Sequence, residues 1–267
     1  MNKYISIFKI ALRQEFVYKL NFIIWRVRNI IQVLVFFFLW SAVFQNSDAS
    51  YFGYTQEKII AYSFLLIFIR SVVMSSKTTD VSGYVSSGDL SNYLLKPLNF
   101  FKYLLTKDAA SKFLNISFSA VEITVLFLIL RPNIFIQTNP SNIILFILSL
   151  IIAAFIFFSI VMLSNCVPFW IPELGWGAQF IVVMILVEFL SGAFFPLDVF
   201  PAPIYQFLKL TPFPYLIFVP IKTYLGNEGT AEVIKSLLFG GLWAVILWLL
   251  MNKVWKKGLK VYEAVGR

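Results

Sequence analysis

Apolar positions fill the chain in long blocks, and short polar stretches divide them. The blocks run roughly over 22–44, 58–74, 113–130, 142–163, 179–195 and 233–251. Each is close to the ~20 residues that an α-helix needs to cross a bilayer. The pattern before the first block differs. Over 1–21, Ile5, Phe8, Leu12, Phe16 and Leu20 recur at helical spacing, with Asn2, Ser6, Lys9 and Arg13 on the opposite stripe. That segment is too polar to span, and is expected to lie flat on the membrane with its basic residues near lipid phosphates. The pattern predicts an all-α integral membrane protein: one transmembrane domain over 1–267, with an interfacial helix and then six transmembrane helices.

The stretch before the last block is apolar but broken. From Ser191 to Gly226 it reads SGAFFPLDVFPAPIYQFLKLTPFPYLIFVPIKTYLG, with prolines at 196, 201, 203, 212, 214 and 220. Each proline removes a backbone donor and would clash with the preceding turn of a helix. Backbone freed in this way at membrane depth must be buried in protein or face water. The expectation is a helix end, a tight turn and a short re-entrant pair of helices over 196–228. The alternative is an aromatic-rich outer loop lying on the headgroups. The largest polar region between blocks is 75–112, punctuated by Gly83, Gly88 and Pro97. Two short surface helices are expected there, one of them capped by Ser87 or Asp89 and running through Leu95.

Composition sharpens this picture. Only 13% of residues are charged, mean hydropathy is +0.82 and 60% are hydrophobic, against ~25% charged for a soluble domain. The net charge is +9, and the basic residues flank the apolar blocks. Lys3, Lys9, Arg13, Lys77, Lys96, Lys102, Lys107, Lys112, Lys253 and Lys256 fall on the side of the termini. Lys58, Arg131, Lys209, Lys222 and Lys235 fall on the other. The positive-inside rule then places both termini in the cytoplasm and 196–228 outside. The first block reads as a retained span and not as a cleaved leader. There is no His and one Cys, Cys166, so neither a His/Cys metal cluster nor an internal disulfide is expected. No GxxxxGK[ST] loop occurs. No catalytic residue is therefore assigned, and any ATP-driven work needs another subunit.

Arg70, Glu122 and Glu188 lie inside blocks, within a few residues of the bilayer middle. Charges at that depth are costly, and are paired or functional. Arg70 with Glu122 or Glu188 is the expected ion pair, serving either as interhelical glue or in transport or gating. Arg26 and Arg28, near the start of the first span, are expected to snorkel to the cytoplasmic headgroups.

Three segments carry a family resemblance. The broken stretch GAFFPLDVFPAPIYQFLKLTPFPYLIFVPIKTYLG resembles the C-terminal signature of ABC-2 type exporter permeases. In that family Gly192, Pro196, Pro201, Pro212, Pro220 and Gly226 stand where a fifth helix ends and two short re-entrant helices follow. SGYVSSGDLSNYLLKPLNFF resembles the G-x-L-x-x-Y-L-L-K/R-P-L block of one branch, and PFWIPELGWGAQF resembles its short inner loop. The similarity covers nearly the whole chain in order. It implies the transmembrane subunit of an exporter in a bacterial or archaeal inner membrane. Such a subunit works with a second permease, as a homodimer or a heterodimer, and with ATP-binding cassette subunits that hold ATP and Mg. It also implies a contact with the ATP-binding subunit through Ser87, Gly88, Asp89, Leu90, Tyr93, Leu94, Leu95, Lys96 and Pro97. The other reading is a stand-alone proton-coupled carrier or a non-transporting membrane scaffold. Neither resemblance nor residues select a substrate.

Overall fold

The computed structural model describes residues 2–17, 19–44 and 53–262. Those residues form helices and connecting turns, and no strand occurs among them. Most of the polar loop expected over 45–57 lies outside the described residues.

Helix α1 (Asn2–Val17) is the amphipathic segment. It packs along α6 (Phe100–Leu130), where Ala11 is buried and the rings of Phe8 and Phe113 are 6.3 Å apart. Helix α2 (Lys19–Val43) is next, so the backbone of Leu20 belongs to the second helix. Helix α3 (Gln56–Ile69) continues into a π-helical turn, Arg70–Met74, and is buried along most of its length. A 3-10 turn (Lys77–Asp80) and two short helices, α4 (Val81–Ser86) and α5 (Leu90–Leu94), form the polar connection.

The polar connection is shorter than 75–112, because α6 starts at Phe100 and not near 113. Pro97 stops the preceding chain, and the Asn99 side chain accepts the Lys102 backbone N–H at 3.0 Å, satisfying a donor that the first turn leaves open. The charges that make this stretch look like a loop are held on the helix. Lys107 pairs with Asp80 at 3.6 Å and Lys112 with Asp108 at 3.3 Å.

Helix α7 (Pro140–Ser164) starts on Pro140, with Asn139 accepting from the Ser141 N–H. It is the central element, packed on α12 (Thr230–Val261), α11 (Phe218–Leu225) and the end of α3. Short 3-10 turns, Val167–Phe169 and Pro172–Leu174, lead into α8 (Gly177–Gln179), a π-helical run (Phe180–Val187) and α9 (Glu188–Leu190). Helices within Arg26–Val43, Phe100–Leu130, Pro140–Phe169 and Thr230–Val261 are long and apolar enough to cross a membrane. The rod Gly177–Leu190 is apolar but shorter, at most about 21 Å against a hydrocarbon core of ~30 Å. Its helix stops before the expected 195, because the chain turns at Gly192 with φ +89°.

The broken stretch fills the space above that rod. Call the end of the molecule bearing Asn139 and Gly229 the upper end. Asp198 sits there, its carboxylate accepting from the Tyr54 hydroxyl at 3.1 Å. Helix α10 (Ala202–Lys209) leads down to Leu210, whose carbonyl accepts from Trp243 Nε1 in the middle of α12 at 3.2 Å. The chain passes Gly240 at Tyr215 and reaches Phe218, whose N–H donates to the Ser191 carbonyl at 2.9 Å. Helix α11 then climbs back to Gly226, beside Asn142 and Gln137. The prolines fall where a donor is not needed. Pro196, Pro201 and Pro212 stand just before helical turns, Pro203 and Pro214 inside first turns, and Pro220 at the third residue of α11.

Two apolar cores result. The upper core joins α3, α7, α11 and the turn at Ala193–Leu197. The lower core joins α4, α5, the start of α6, the end of α7 and the end of α12 around Phe100, Phe169 and Trp255.

Candidate functional site

The lower core carries a knob. Leu90 is fully buried in it, and Tyr93 stacks among Tyr84, Tyr103 and Phe100, with ring centroids 4.6, 5.7 and 6.3 Å away. These two side chains hold the knob together. Beyond them the chain turns outward: Leu94 is 42% and Leu95 85% exposed, and Lys96 and Pro97 are exposed as well. Leu95 is the most exposed large apolar side chain among the described residues. Asp89 occupies the position before α5, but its side chain makes no cap. It accepts instead from the Ser87 hydroxyl at 2.8 Å.

Two supports of this knob were not legible in the sequence. Tyr262, beyond the last span, donates to the Gly88 carbonyl at 2.6 Å and accepts from the Ser91 N–H at 3.3 Å. Trp255 lies flat on Phe100 at 5.3 Å with an interplanar angle of 10° and meets Phe169 edge-on at 5.3 Å. The Phe169 ring leaves no space for a Cβ at Gly258. Helix α1 reaches the same place, with Lys3 Nζ donating to the Pro97 carbonyl at 3.3 Å and Glu15 pairing with Lys77 at 2.9 Å. Their partners are remote in sequence, and only the alternation of Trp and Tyr with Lys in the C-terminal tail hinted at an anchored end.

Higher up, the buried charges pair off. Arg70 grips Glu188 with both terminal nitrogens, at 3.0 and 2.5 Å, a fork geometry that fixes direction as well as charge. Arg28 approaches the same carboxylate at 3.5 Å. Glu122 takes Arg26 at 3.2 Å, and that guanidinium also donates to Asn115. Of the two partners expected for Arg70, Glu188 is the one, and Glu122 is not. Arg26 does not snorkel: it is 7% exposed, because Glu122 and Asn115 on α6 offer it better-placed acceptors than the headgroups do. Both arms come from one stretch of α2, which is thereby tied to α6 on one side and to α3 and α9 on the other.

The upper end, near Pro196 and Gly226, carries a polar clasp, whereas Pro212 lies at the low point of the stretch, just past Leu210, and Gly192 lies against Tyr62 and Phe218. Pro201 and Pro220 stand at the starts of α10 and α11. Lys222 pairs with Asp198 at 3.1 Å and Glu228 at 2.9 Å, and Lys58 donates to Asn227 at 2.5 Å. Burial disfavours the Lys222 ammonium, but Glu228 and Asp198 outweigh it and hold its pKa above the usual lysine range. Burial, then the Asp198 charge, pushes the Tyr54 phenol well above its ordinary value. Gly226 closes α11 in the left-handed conformation at φ +63°.

Among the described residues no group of His, Cys, Asp and Glu is arranged to hold a metal. The arrangement presents an exposed apolar tip at one end, buried ion pairs between helices, and a clasped broken segment at the other. No curated protein matches the chain significantly. A family model described as ABC-2 family transporter protein matches residues 30–266. That match runs from the middle of α2 through the knob, the Arg70–Glu188 pair and the clasp to the tail, and so the chain belongs to the ABC-2 family of membrane transporter proteins.

Proposed function

We propose that this chain is the permease subunit of an ATP-driven exporter. Six segments cross the inner membrane, both termini are cytoplasmic, and ATP and Mg are held by a separate cassette subunit docked on the knob. The observation that carries this reading is Leu95, 85% exposed at the apex of a loop whose base is a packed aromatic core. A rigid base under an apolar tip suits a part that receives a push. The tip is joined to the spans through α1 by Lys3 and Pro97 and through α12 by Tyr262 and Gly88. Motion there reaches the helices that carry Arg70, Glu122 and Glu188. In this reading α10 and α11 are the re-entrant pair, and the clasp at Lys222 holds them on the outer side. The uncovered apolar face of α2, with Ile31, Val35, Phe38 and Leu39 exposed, is where a second permease, identical or different, or lipid makes contact.

The test is reconstitution with a co-purifying ATP-binding subunit. The chain alone is expected to hydrolyse no ATP, and the complex to couple hydrolysis to transport. Leu95→Asp is expected to uncouple the two without lowering the chain's own thermal stability, and Leu94→Asp to do so in part. ATPase activity of the isolated chain, or full coupling in both variants, would overturn the reading.

A further inference from the structure

The groove between α1 and the start of α6 has no part in the function argued so far. Tyr4, Lys102, Leu105, Thr106 and Ala109 line it, and its volume is about 380 Å³. Lys102, Leu105 and Ala109 follow at helical spacing on the exposed face of α6, opposite the buried Leu104, Lys107, Asp108 and Ser111. The groove therefore has a cation at one end and apolar surface along its length.

Basic charge predominates around it. Residues 1–15 contain Lys3, Lys9, Arg13 and Glu15, and residues 89–108 contain Asp89, Lys96, Lys102, Lys107 and Asp108, with Glu15 paired to Lys77 and Asp108 to Lys112. Lys107 is paired with Asp80, and Lys3 donates to a backbone carbonyl. Lys102 makes no ion pair among the described residues; its backbone N–H donates to Asn99 and its carbonyl accepts from the Thr106 hydroxyl.

Its depth follows from the length of α6. A hydrocarbon core of ~30 Å takes about 20 residues of helix. Counted back from Leu130, that reaches about residue 110. Residues 102–109 then occupy the next turns, at the level of the lipid phosphates. Exposed Ile5 on α1 lies at the same level and is suited to the acyl boundary.

We infer that this groove binds an anionic phospholipid of the inner leaflet, with its phosphate on Lys102 and its glycerol and first methylenes on Leu105 and Ala109. The inference rests on the sidedness given under Proposed function, which puts α1 on the cytoplasmic face. The depression is shallow and open, a surface on which a headgroup region can lie and not a pocket that encloses a whole lipid. A lysine near an anionic leaflet is worth about five-fold in binding.

Native mass spectrometry of the full chain in detergent, offered phosphatidylglycerol and phosphatidylcholine, tests this. The chain is expected to retain phosphatidylglycerol preferentially. Lys102→Gln is expected to lower retention about five-fold and Lys102→Glu further, while Lys102→Arg and the distant Lys256→Glu leave it unchanged. Inorganic phosphate is expected to compete poorly, since it lacks the apolar part. Equal retention by Lys102→Glu, equal loss in Lys256→Glu, or displacement by inorganic phosphate alone would each overturn the site. A cysteine at Asn2, probed in vesicles with an impermeant thiol reagent, tests the sidedness separately. Labelling from outside would overturn that sidedness, and the inner-leaflet assignment with it. Protection there with no lipid preference would overturn this inference only.

Discussion

A Cβ at Gly192 would stand 2.8 Å from the Tyr62 hydroxyl oxygen and 2.9 Å from Phe218 Cβ, and the backbone there has φ +89°. Both space and conformation exclude a side chain. Gly192→Ala is therefore expected to destabilise the purified protein by about 1–3 kcal/mol or more, read by thermal unfolding. Tyr62→Phe, which loses only the 2.6 Å bond to the Gly192 carbonyl, is expected to cost about 1 kcal/mol. The pair Arg70 and Glu188 behaves differently. Arg70→Met leaves a buried carboxylate with Arg28 alone, 3.5 Å away, and is expected to cost about 3–5 kcal/mol. Arg70→Met with Glu188→Met is expected to recover most of that, since neither charge is then stranded. If the double variant were no better than the single one, interhelical pairing would not be the role of Arg70. The sequence announced that these three ionisable residues needed partners. It could not rank Glu122 against Glu188, because depth along a helix says nothing about which way the helix faces.

Among the elements, prolines were the most legible signal and charges the least. The prolines between 196 and 220 foretold short helical pieces, and each stands where a helix begins. Lys102, Lys107, Asp108 and Lys112 suggested loop, yet α6 runs through them, since three of the four are paired inside the fold and Asn99 sets the start. The knob shows the same contrast. Its position was readable from Gly88 and Pro97, but its rigidity comes from Trp255 and Tyr262, which are distant in sequence. Trp255→Ala is expected to destabilise the lower core by about 3–5 kcal/mol. Hydrogen exchange should then rise in α4 and α5 while the upper core stays protected. Uniform exchange across both cores would mean that they do not open separately.

On the scale of the whole molecule, the upper clasp fixes the broken segment to the loop before α3 and to the start of α12. Lys222 has a folded pKa raised above its unfolded one. Its contribution is thus complete below the ordinary lysine range and is lost only as pH rises through the raised value. The penalty of Lys222→Met, measured by thermal unfolding, is expected to be the same at about pH 6.5 and about pH 9. A penalty that faded by the higher value would mean that the carboxylates do not hold the ammonium. What the sequence determined by itself is the solvent of this protein and its punctuation. Long apolar blocks can be satisfied only in a bilayer, and proline restricts the backbone while glycine frees it wherever they stand, so both are local properties that survive without a fold. Only the tertiary structure decided which charges meet, how far α6 extends beyond its apolar block, and what braces Leu95. Those outcomes depend on the azimuth of each helix and on contacts between residues 27 to 174 positions apart, and no periodicity along a single segment encodes either.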